Sequence, residues 1–429
     1  MEISELYKLF IEHPVVCTDT RKITKNCIFF ALKGENFNGN LFAKSALDLG
    51  AAYAIVDEVE VATQPNIIYV KDALVALQAL ANYHRKQFNI PIIAITGSNG
   101  KTTTKELINA VLSKKYKTVA TTGNLNNHIG VPLTILSITN YCEVAIIEMG
   151  ANHPKEIEFL CAIAEPNFGI ITNIGKAHIE GFGSFEGVIK TKSELYHFLK
   201  VNSGTLFVNM DDELLVGLSK DMQRVYYGTS SDFCKATLLS STPVLELEWK
   251  GSRIKTQLYG TYNFTNIVAA ICIGTYFQVD DHKIIEAISE YTSTNNRSQL
   301  VKLESNLFYL DAYNANPSSM NVAIDTFIDN REQNKLMILG DMLELGAISE
   351  TEHQHIIDKV LRSKIKTLFV GKNFGAFKGS YQPNMIFFLE NYKQAADWIF
   401  NENISNFNIL IKGSRGIQLE KIVEILKEN

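Results

Sequence analysis

The sequence predicts an α/β protein of three domains, and three observations carry that prediction. Short continuous apolar runs alternate with amphipathic stretches, the pattern of parallel strands buried on both faces and crossed over by helices. Near residue 92 one such run enters a glycine turn and then a polar stretch competent for helix, the strand–turn–helix order of an open α/β sheet. The chain has 429 residues, more than one ordinary core organises; at roughly 150 residues per domain the length accommodates about three.

Taken in order, the first block spans residues 1–88. Its apolar runs CIFFAL (27–32), AAYAIV (51–56) and NIIYV (66–70) read as strands bounded by turn residues, FAKSALDLG as a short helix ended by Gly50, and ALVALQALANYHRKQF as a helix leading to Pro91. The second block, 89–295, repeats buried strand, turn and helix at IPIIAIT, EVAIIEM (143–149), FGIITNI (168–174) and TLFVNM (205–210), which predicts a parallel sheet with its ligand end at the strand C-termini. The third, 296–429, again shows strands ending in glycine and charge, KLMILGDM, KTLFVGK and NFNILIKGSRG, and predicts a second, smaller α/β domain.

Composition narrows the classes. Apolar residues at 46% and charged residues at 20% exclude a disordered or fibrous chain. A net charge of −5 gives no basic excess, so nucleic acid is not expected as a partner and any anionic ligand must be held by local groups. The six cysteines, Cys17, Cys27, Cys142, Cys161, Cys234 and Cys272, form no C-x-x-C pair, which fits a reduced cytosol better than a zinc knuckle or a redox centre. MEISELYKLF lacks a basic segment followed by a long apolar core, and no apolar run reaches 18 residues, so a soluble cytoplasmic chain without membrane insertion is expected.

The chemistry concentrates in IIAITGSNGKTTTKE (92–106). The common phosphate loop has a glycine where this chain has Ile95, leaving Gly97 and Gly100 to make the turn. Even so, Gly97, Ser98, Asn99, Gly100, Lys101, Thr102 and Thr103 would aim backbone N–H groups and a helix N-terminus at one phosphate, with Lys101 reaching the terminal phosphates and the Thr102 hydroxyl facing Mg²⁺. Glu148 ends a neighbouring strand; it either caps that strand or supplies the carboxylate a magnesium nucleotide requires, and the nearby loop favours the second. His178 follows a strand in a glycine-rich loop, a setting that serves a structural histidine as well as a ligand. In SFEGVIKTKSELYHFL, Lys190 and Lys192 lie on an amphipathic helix, where lysines ordinarily form a solvated face.

TGSNGKTTTKE, GNLNNHIGVPLTIL, IIEMGANHPKEI, EPNFGIITNIGKAHIEGFGS, NMDD, LYGTYNFTNIVAA, DAYNANPSSM, LGDMLELG and IKGSRG follow one another as in the Mur ligase family, which the chain resembles over nearly its whole length. DAYNANP, LGDMLELG and KGSR are most similar to members that add D-alanyl-D-alanine to UDP-N-acetylmuramoyl tripeptide. The resemblance implies a central parallel-sheet P-loop ATPase domain, flanked by a small N-terminal domain for the UDP substrate and a C-terminal Rossmann-like domain. It implies joining of the two substrates through an acyl phosphate, with ATP and two Mg²⁺ ions; a monomer is expected, although the sequence does not give the oligomeric state.

Residue by residue, the resemblance assigns Thr102 and Glu148 to one ion and His178 to the other. It gives Lys192 a role as a lysine carbamate formed with CO₂, since an ammonium has no lone pair for a metal and a carbamate oxygen does; Lys190 stays a competitor. Asn263 and Asn266 correspond to adenine contacts, although Tyr262 stands where histidine is usual; Arg297 and Asp311 correspond to a pair reaching the ribose and phosphates as the third domain closes. Thr20 and Arg21 correspond to a diphosphate-receiving motif, and Asn126, Asn127 and His128 to sugar and diphosphate contacts. Lys412, Ser414 and Arg415 either hold the dipeptide carboxylate or brace the domain.

Two other readings bear comparison. A sibling ligase carries D-Y-A-H-T-P where this chain has DAYNANP, and a folylpolyglutamate synthase lacks a first block of this kind. A nucleotide switch leaves the first and third blocks without a role, and no N-K-x-D base-reading motif is present. Whether the tripeptide's third residue is diaminopimelate or lysine depends on pocket shape and is not legible here.

Overall fold

The computed structural model describes residues 1–330, 332–381 and 385–428. Among these, three large sheets follow one another along the chain. The first has four parallel strands in chain order, Val16–Cys17, Ile28–Phe30, Tyr53–Val56 and Ile67–Tyr69. The last three are the expected runs, each trimmed by a residue or two at its ends; the two-residue strand Val16–Cys17 is not among those runs.

The helix Ala73–Arg85 starts where the Asp72 carboxylate accepts from Val75 N at 2.9 Å, a side-chain cap for a free N–H group. Its buried positions Ala73, Leu77, Leu80 and Ala81 recur at i, i+4, i+7 and i+8, so they form one stripe. That stripe shares a single apolar core with Phe30 and Ile55 of the first sheet and with Val131, Ile135 and Leu160 of the next block. Arg85 fixes the helix end by donating to the carbonyls of Ala164, Phe88 and Glu165. Because Leu77 is fully buried between the two units, Leu77→Ala is expected to lower unfolding free energy by about 2–5 kcal/mol. A denaturant midpoint within error of the unmodified chain would show that this core does not join them.

The central sheet has nine strands, in spatial order Ser252–Lys255, Glu246–Trp249, Cys234–Ser240, Gln223–Gly228, Thr205–Asn209, Phe168–Ile171, Ile92–Thr96, Val144–Glu148 and Thr118–Ala120. Seven are mutually parallel: four are the expected apolar runs, while Thr118–Ala120, Gln223–Gly228 and Cys234–Ser240 are strands those runs did not include. The hairpin Glu246–Trp249 and Ser252–Lys255 is antiparallel and was not visible in those runs. Its turn sets Lys250 and Gly251 at φ 49° and 75°, the positive pair that a tight hairpin needs. Further along the sheet, Ile95 is in register with Glu148 and Thr96 with Ile171. The C-terminal ends of three adjacent strands therefore bring the glycine turn, Glu148 and the Thr172–Asn173 loop to one place.

The third sheet has six strands, in order Gln299–Leu303, Asn306–Asp311, Asn408–Lys412, Lys335–Gly340, Lys366–Val370 and Ile386–Leu389. Only the first pair is antiparallel. Asp311 and Lys412 are register partners at the ends of neighbouring parallel strands, so opposite charges meet at the sheet's ligand edge. All six cysteines are free and buried. Among the described residues no helix is long and apolar enough to cross a membrane.

Candidate active site

The turn after Ile92–Thr96 is built from glycine for two separate reasons. Gly97 and Gly100 sit at φ 141° and 79°, conformations that side chains rarely adopt. Space forbids a side chain as well: a Cβ on Gly97 would lie 2.0 Å from Thr172 Oγ1, and one on Gly100 would lie 2.6 Å from Asn266 Oδ1. The neighbouring loop holds the turn in place. Ser98 N donates to Asn173 O at 2.9 Å, Asn99 N to Asn173 Oδ1 at 3.0 Å, and Thr172 Oγ1 to Asn99 O at 2.6 Å. The helix Lys101–Leu112 then begins directly, with its first N–H groups at the mouth of the turn. Lys101 Nζ folds back to donate to Gly97 O at 2.7 Å. Burial pulls its ammonium down to about 8, with Glu148 opposing the shift and Arg297 adding to it.

Glu148 is 1% exposed. One oxygen, Oε1, accepts from Thr102 Oγ1 at 3.1 Å and from Asn126 Nδ2 at 2.8 Å. The other, Oε2, is buried without a hydrogen-bond partner, 4.0 Å from the Lys105 ammonium. A buried carboxylate oxygen left unpaired beside a threonine hydroxyl and a phosphate turn is a donor set suited to a hard cation. Among the described residues no three His, Cys, Asp or Glu side chains gather around one point. A cation here would take few protein ligands and complete its shell with phosphate and water, as Mg²⁺ does.

Lys192 and Lys190 differ sharply. Lys190 is exposed, whereas Lys192 is 1% exposed on the inner side of the helix Phe185–Val201. Lys192 Nζ makes one long contact, 3.4 Å to Ala151 O, and lies 5.3 Å from the Phe182 ring centre. Burial first, and then the nearby Lys101 ammonium, lower it to about 7. An amine near half-neutral at physiological pH can use its lone pair, which the exposed Lys190 has no comparable reason to do. His178 sits at φ 52° before the short helix Ile179–Phe182, its ring 6.3 Å from Phe182 and its Nδ1 hydrogen-bonded to Glu344 of the third block. The pairing holds the Glu344 carboxyl below its ordinary range. Glu344 lies in LGDMLELG, and nothing in that run distinguishes it from Asp341 before the fold is known.

The third block meets the turn through DAYNANPSSM. Asn316 Nδ2 donates to Asn99 Oδ1 at 2.8 Å, and Lys176 N donates to Ser318 Oγ at 3.0 Å. Asp311 receives Lys412 Nζ at 2.6 Å. Arg297 and Arg415 share one aromatic ring, with guanidinium carbons 3.7 and 4.9 Å from the centre of Tyr313. Arg297 Nε has no hydrogen-bond partner among the described residues. Asn99, Arg297, Asp311, Tyr313, Asn316, Ser318, Lys412 and Arg415, with Lys101, Glu148, His178, Asn126, Asn127 and His128, line one cavity of about 1270 Å³.

The remaining expected residues fall into three settings. Asn263 and Asn266 border the cavity, yet their amides are engaged internally: Asn263 Nδ2 donates to Tyr259 O, Asn266 Nδ2 to Asn263 Oδ1, and Thr104 Oγ1 to Asn266 Oδ1. Tyr262 turns its hydroxyl to Ser298 Oγ at 2.9 Å and to Asp311 Oδ2 at 3.5 Å, a bridge between blocks that the sequence did not signal. Asn127 Oδ1 caps the helix Gly130–Leu136 by accepting from Ile129 N and Gly130 N, and His128 O receives Gln78 Nε2 at 3.0 Å. Ser414 Oγ accepts from Leu343 N and donates to Ala315 O, which braces two loops. Thr20 and Arg21 do not border the cavity; Arg21 is exposed and paired with Asp19 at 2.8 Å.

Three family models match the chain in succession: the Mur ligase family catalytic domain at residues 14–90, the Mur ligase middle domain at 95–274, and the Mur ligase glutamate ligase domain at 296–415. A UDP-N-acetylmuramoyl-tripeptide--D-alanyl-D-alanine ligase of Bacillus subtilis (strain 168) is 36% identical, covering 96% of this chain and 93% of its own. The Escherichia coli (strain K12) protein of that same description is 33% identical, covering 99% and 96%. In the solved structures, MurF from Acinetobacter baumannii superposes with a TM-score of 0.85 at 29% identity, over 96% of this chain and 93% of that one. The matched domains, the identity sustained along the whole chain and the shared three-sheet fold place it: the chain belongs to the Mur ligase family.

Proposed function

We propose that this chain is an ATP-dependent ligase that joins D-alanyl-D-alanine to UDP-N-acetylmuramoyl tripeptide in peptidoglycan synthesis, in the cytoplasm and as a monomer. The observation that carries this reading is the single cavity in which a phosphate turn, a partnerless carboxylate oxygen and the cationic edge of a third domain face one another. Residues 89–295 would bind the nucleotide, 1–88 the UDP end of the first substrate, and 296–429 the dipeptide.

The free tripeptide carboxylate is a poor acyl donor, so its oxygen attacks the γ-phosphorus and the bond to ADP breaks, giving an acyl phosphate. The amine of the dipeptide then attacks the acyl carbon, loses a proton, and phosphate leaves. In both steps negative charge moves between oxygens, and cations fixed beforehand lower the barrier. Lys101 and the N–H groups of residues 97–103 would hold the terminal phosphates, and Arg297 would reach them from the third domain. Asp311 steadies Lys412 at the ligand edge, while Arg415, oriented against Tyr313, has the planar fork that suits a dipeptide carboxylate.

Glu148 and Thr102 are the residues that would hold one Mg²⁺, which, when bound, supplies positive charge to the phosphate oxygens. Asn126 keeps the Glu148 carboxylate oriented for it. His178 and a carbamate on Lys192, formed with CO₂, would hold a second ion. That reading is supported by a buried amine lowered to about 7 and lacking a carboxylate partner among the described residues.

The deciding assay supplies ATP, Mg²⁺, the UDP-tripeptide and D-alanyl-D-alanine and measures phosphate release. Release is expected to require both substrates. Hydrolysis that ignores the dipeptide would remove the ligase reading, and parallel arms with diaminopimelate or lysine as the third residue identify the preferred tripeptide.

A further inference from the structure

Lys105 and Glu106, one turn beyond the phosphate loop, take no part in the steps above. Lys105 is 3% exposed, and its ammonium stands 3.7 Å from Glu106 Oε1 and 4.0 Å from Glu148 Oε2. One buried cation is thus shared by two carboxylates. Glu106 in turn holds the segment that leads into the third domain. Tyr291 OH donates to Glu106 Oε2 at 2.6 Å, and Asn295 Nδ2 donates to Oε1 at 2.9 Å. Burial, with Glu106 close by, raises the Tyr291 hydroxyl, so it stays a donor.

Arg297 follows two residues after Asn295. It is flanked by Asn296 and Ser298 at φ 57° and 50°, a left-handed pair of non-glycine residues that surrounding contacts must maintain. Those contacts are Ala312 N to Asn296 O at 3.0 Å, Tyr262 OH to Ser298 Oγ at 2.9 Å, and the two bonds onto Glu106 just upstream. Arg297 itself has a buried Nε with no hydrogen-bond partner among the described residues and stacks on the Tyr313 ring, and both residues line the cavity.

We propose that Glu106 is a positioning residue that sets Arg297 against the nucleotide, and that Lys105 links this position to the occupancy of Glu148. The inference rests on the nucleotide reading given above. Hydrogen bonds to a charged, partly buried carboxylate are strong and directional, so the Glu106 tether limits where the chain can place Arg297. Lys105 divides its attraction between Glu106 and Glu148. When Glu148 holds a divalent cation, the ammonium is repelled from it and its attraction falls on Glu106 alone, firming the tether.

The experiment is a binding titration of the full chain with a fluorescent ADP analogue, with Mg²⁺ and with chelator. Arg297→Ala is expected to weaken binding about tenfold, since it removes a charged partner of phosphate. Tyr291→Phe keeps the ring packing and loses only the hydroxyl; it is expected to cost about fivefold in the unmodified chain and nothing further in the Arg297→Ala background. Asn295→Ala, at a partly exposed position, is expected to follow the same pattern. If Arg297→Ala binds normally, the nucleotide role of Arg297 fails and the inference with it. If Arg297→Ala weakens binding but Tyr291→Phe costs equally in both backgrounds, the inference alone is overturned. Lys105→Met is expected to lower the Mg²⁺ concentration at half-maximal binding several-fold, because a competing cation beside Glu148 is gone. An unchanged Mg²⁺ midpoint overturns the link through Lys105.

Discussion

Lys192→Ala is expected to reduce ligation by about three orders of magnitude, the cost typical of removing one preorganised electrostatic group. Short carboxylates such as acetate are expected to restore part of the rate, because the space left by the side chain admits an anionic oxygen in place of the carbamate. Lys190→Ala, on the exposed side of that helix, is expected to have little effect. The pH sign follows from the direction of the shift. Burial and Lys101 lower the Lys192 amine to about 7, so the neutral form that attacks CO₂ predominates above pH 7 and is lost as pH falls below it. Chain depleted of CO₂ should therefore regain activity with bicarbonate more readily at pH 8 than at pH 6. A Lys192→Ala variant with an undiminished rate, or one indifferent to added carboxylates while inactive for another reason such as misfolding, would end the carbamate reading in the first case and redirect it to Lys192→Gln in the second.

Glu148→Gln is the second large effect. The amide keeps the shape and the acceptor for Thr102 and Asn126, but it removes the negative charge at Oε2, which has no hydrogen-bond partner. Ligation at fixed Mg²⁺ is expected to fall by about two to three orders of magnitude, with a higher Mg²⁺ requirement. The Lys105 ammonium also loses a partner, so some loss of stability is expected alongside. Phosphate release measured across an Mg²⁺ titration checks this, and an unmoved midpoint would assign Glu148 a purely structural task as the anchor of Thr102 and Asn126.

The turn at 97–100 was the most legible part of the site. Strand, glycines, Lys101 and helix are consecutive in the chain, and their geometry follows from local sterics alone, which is why Ile95 in place of the usual glycine does no damage: it is a buried strand residue in register with Glu148. The parallel strands buried on both faces were legible because that burial leaves an uninterrupted apolar signature; the partly exposed parallel strands Thr118–Ala120, Gln223–Gly228 and Cys234–Ser240 lack that signature and were not. The hairpin 246–255 and the edge strand 299–303 escaped because half-exposed antiparallel strands mix polar residues into the pattern.

By itself, then, the sequence determined the α/β class, the phosphate turn and the family to which the chain belongs, because those properties reside in short contiguous motifs. Only the tertiary structure decided between Lys192 and Lys190, turned the amides of Asn263 and Asn266 inward, set His178 against Glu344, and placed Lys105 between Glu106 and Glu148. The physical reason is that burial and charge pairing are properties of neighbours in space. A lysine reads the same in the chain whether its ammonium meets water or two carboxylates, and the contacts that separate those cases join residues as far apart as Glu106 and Asn295.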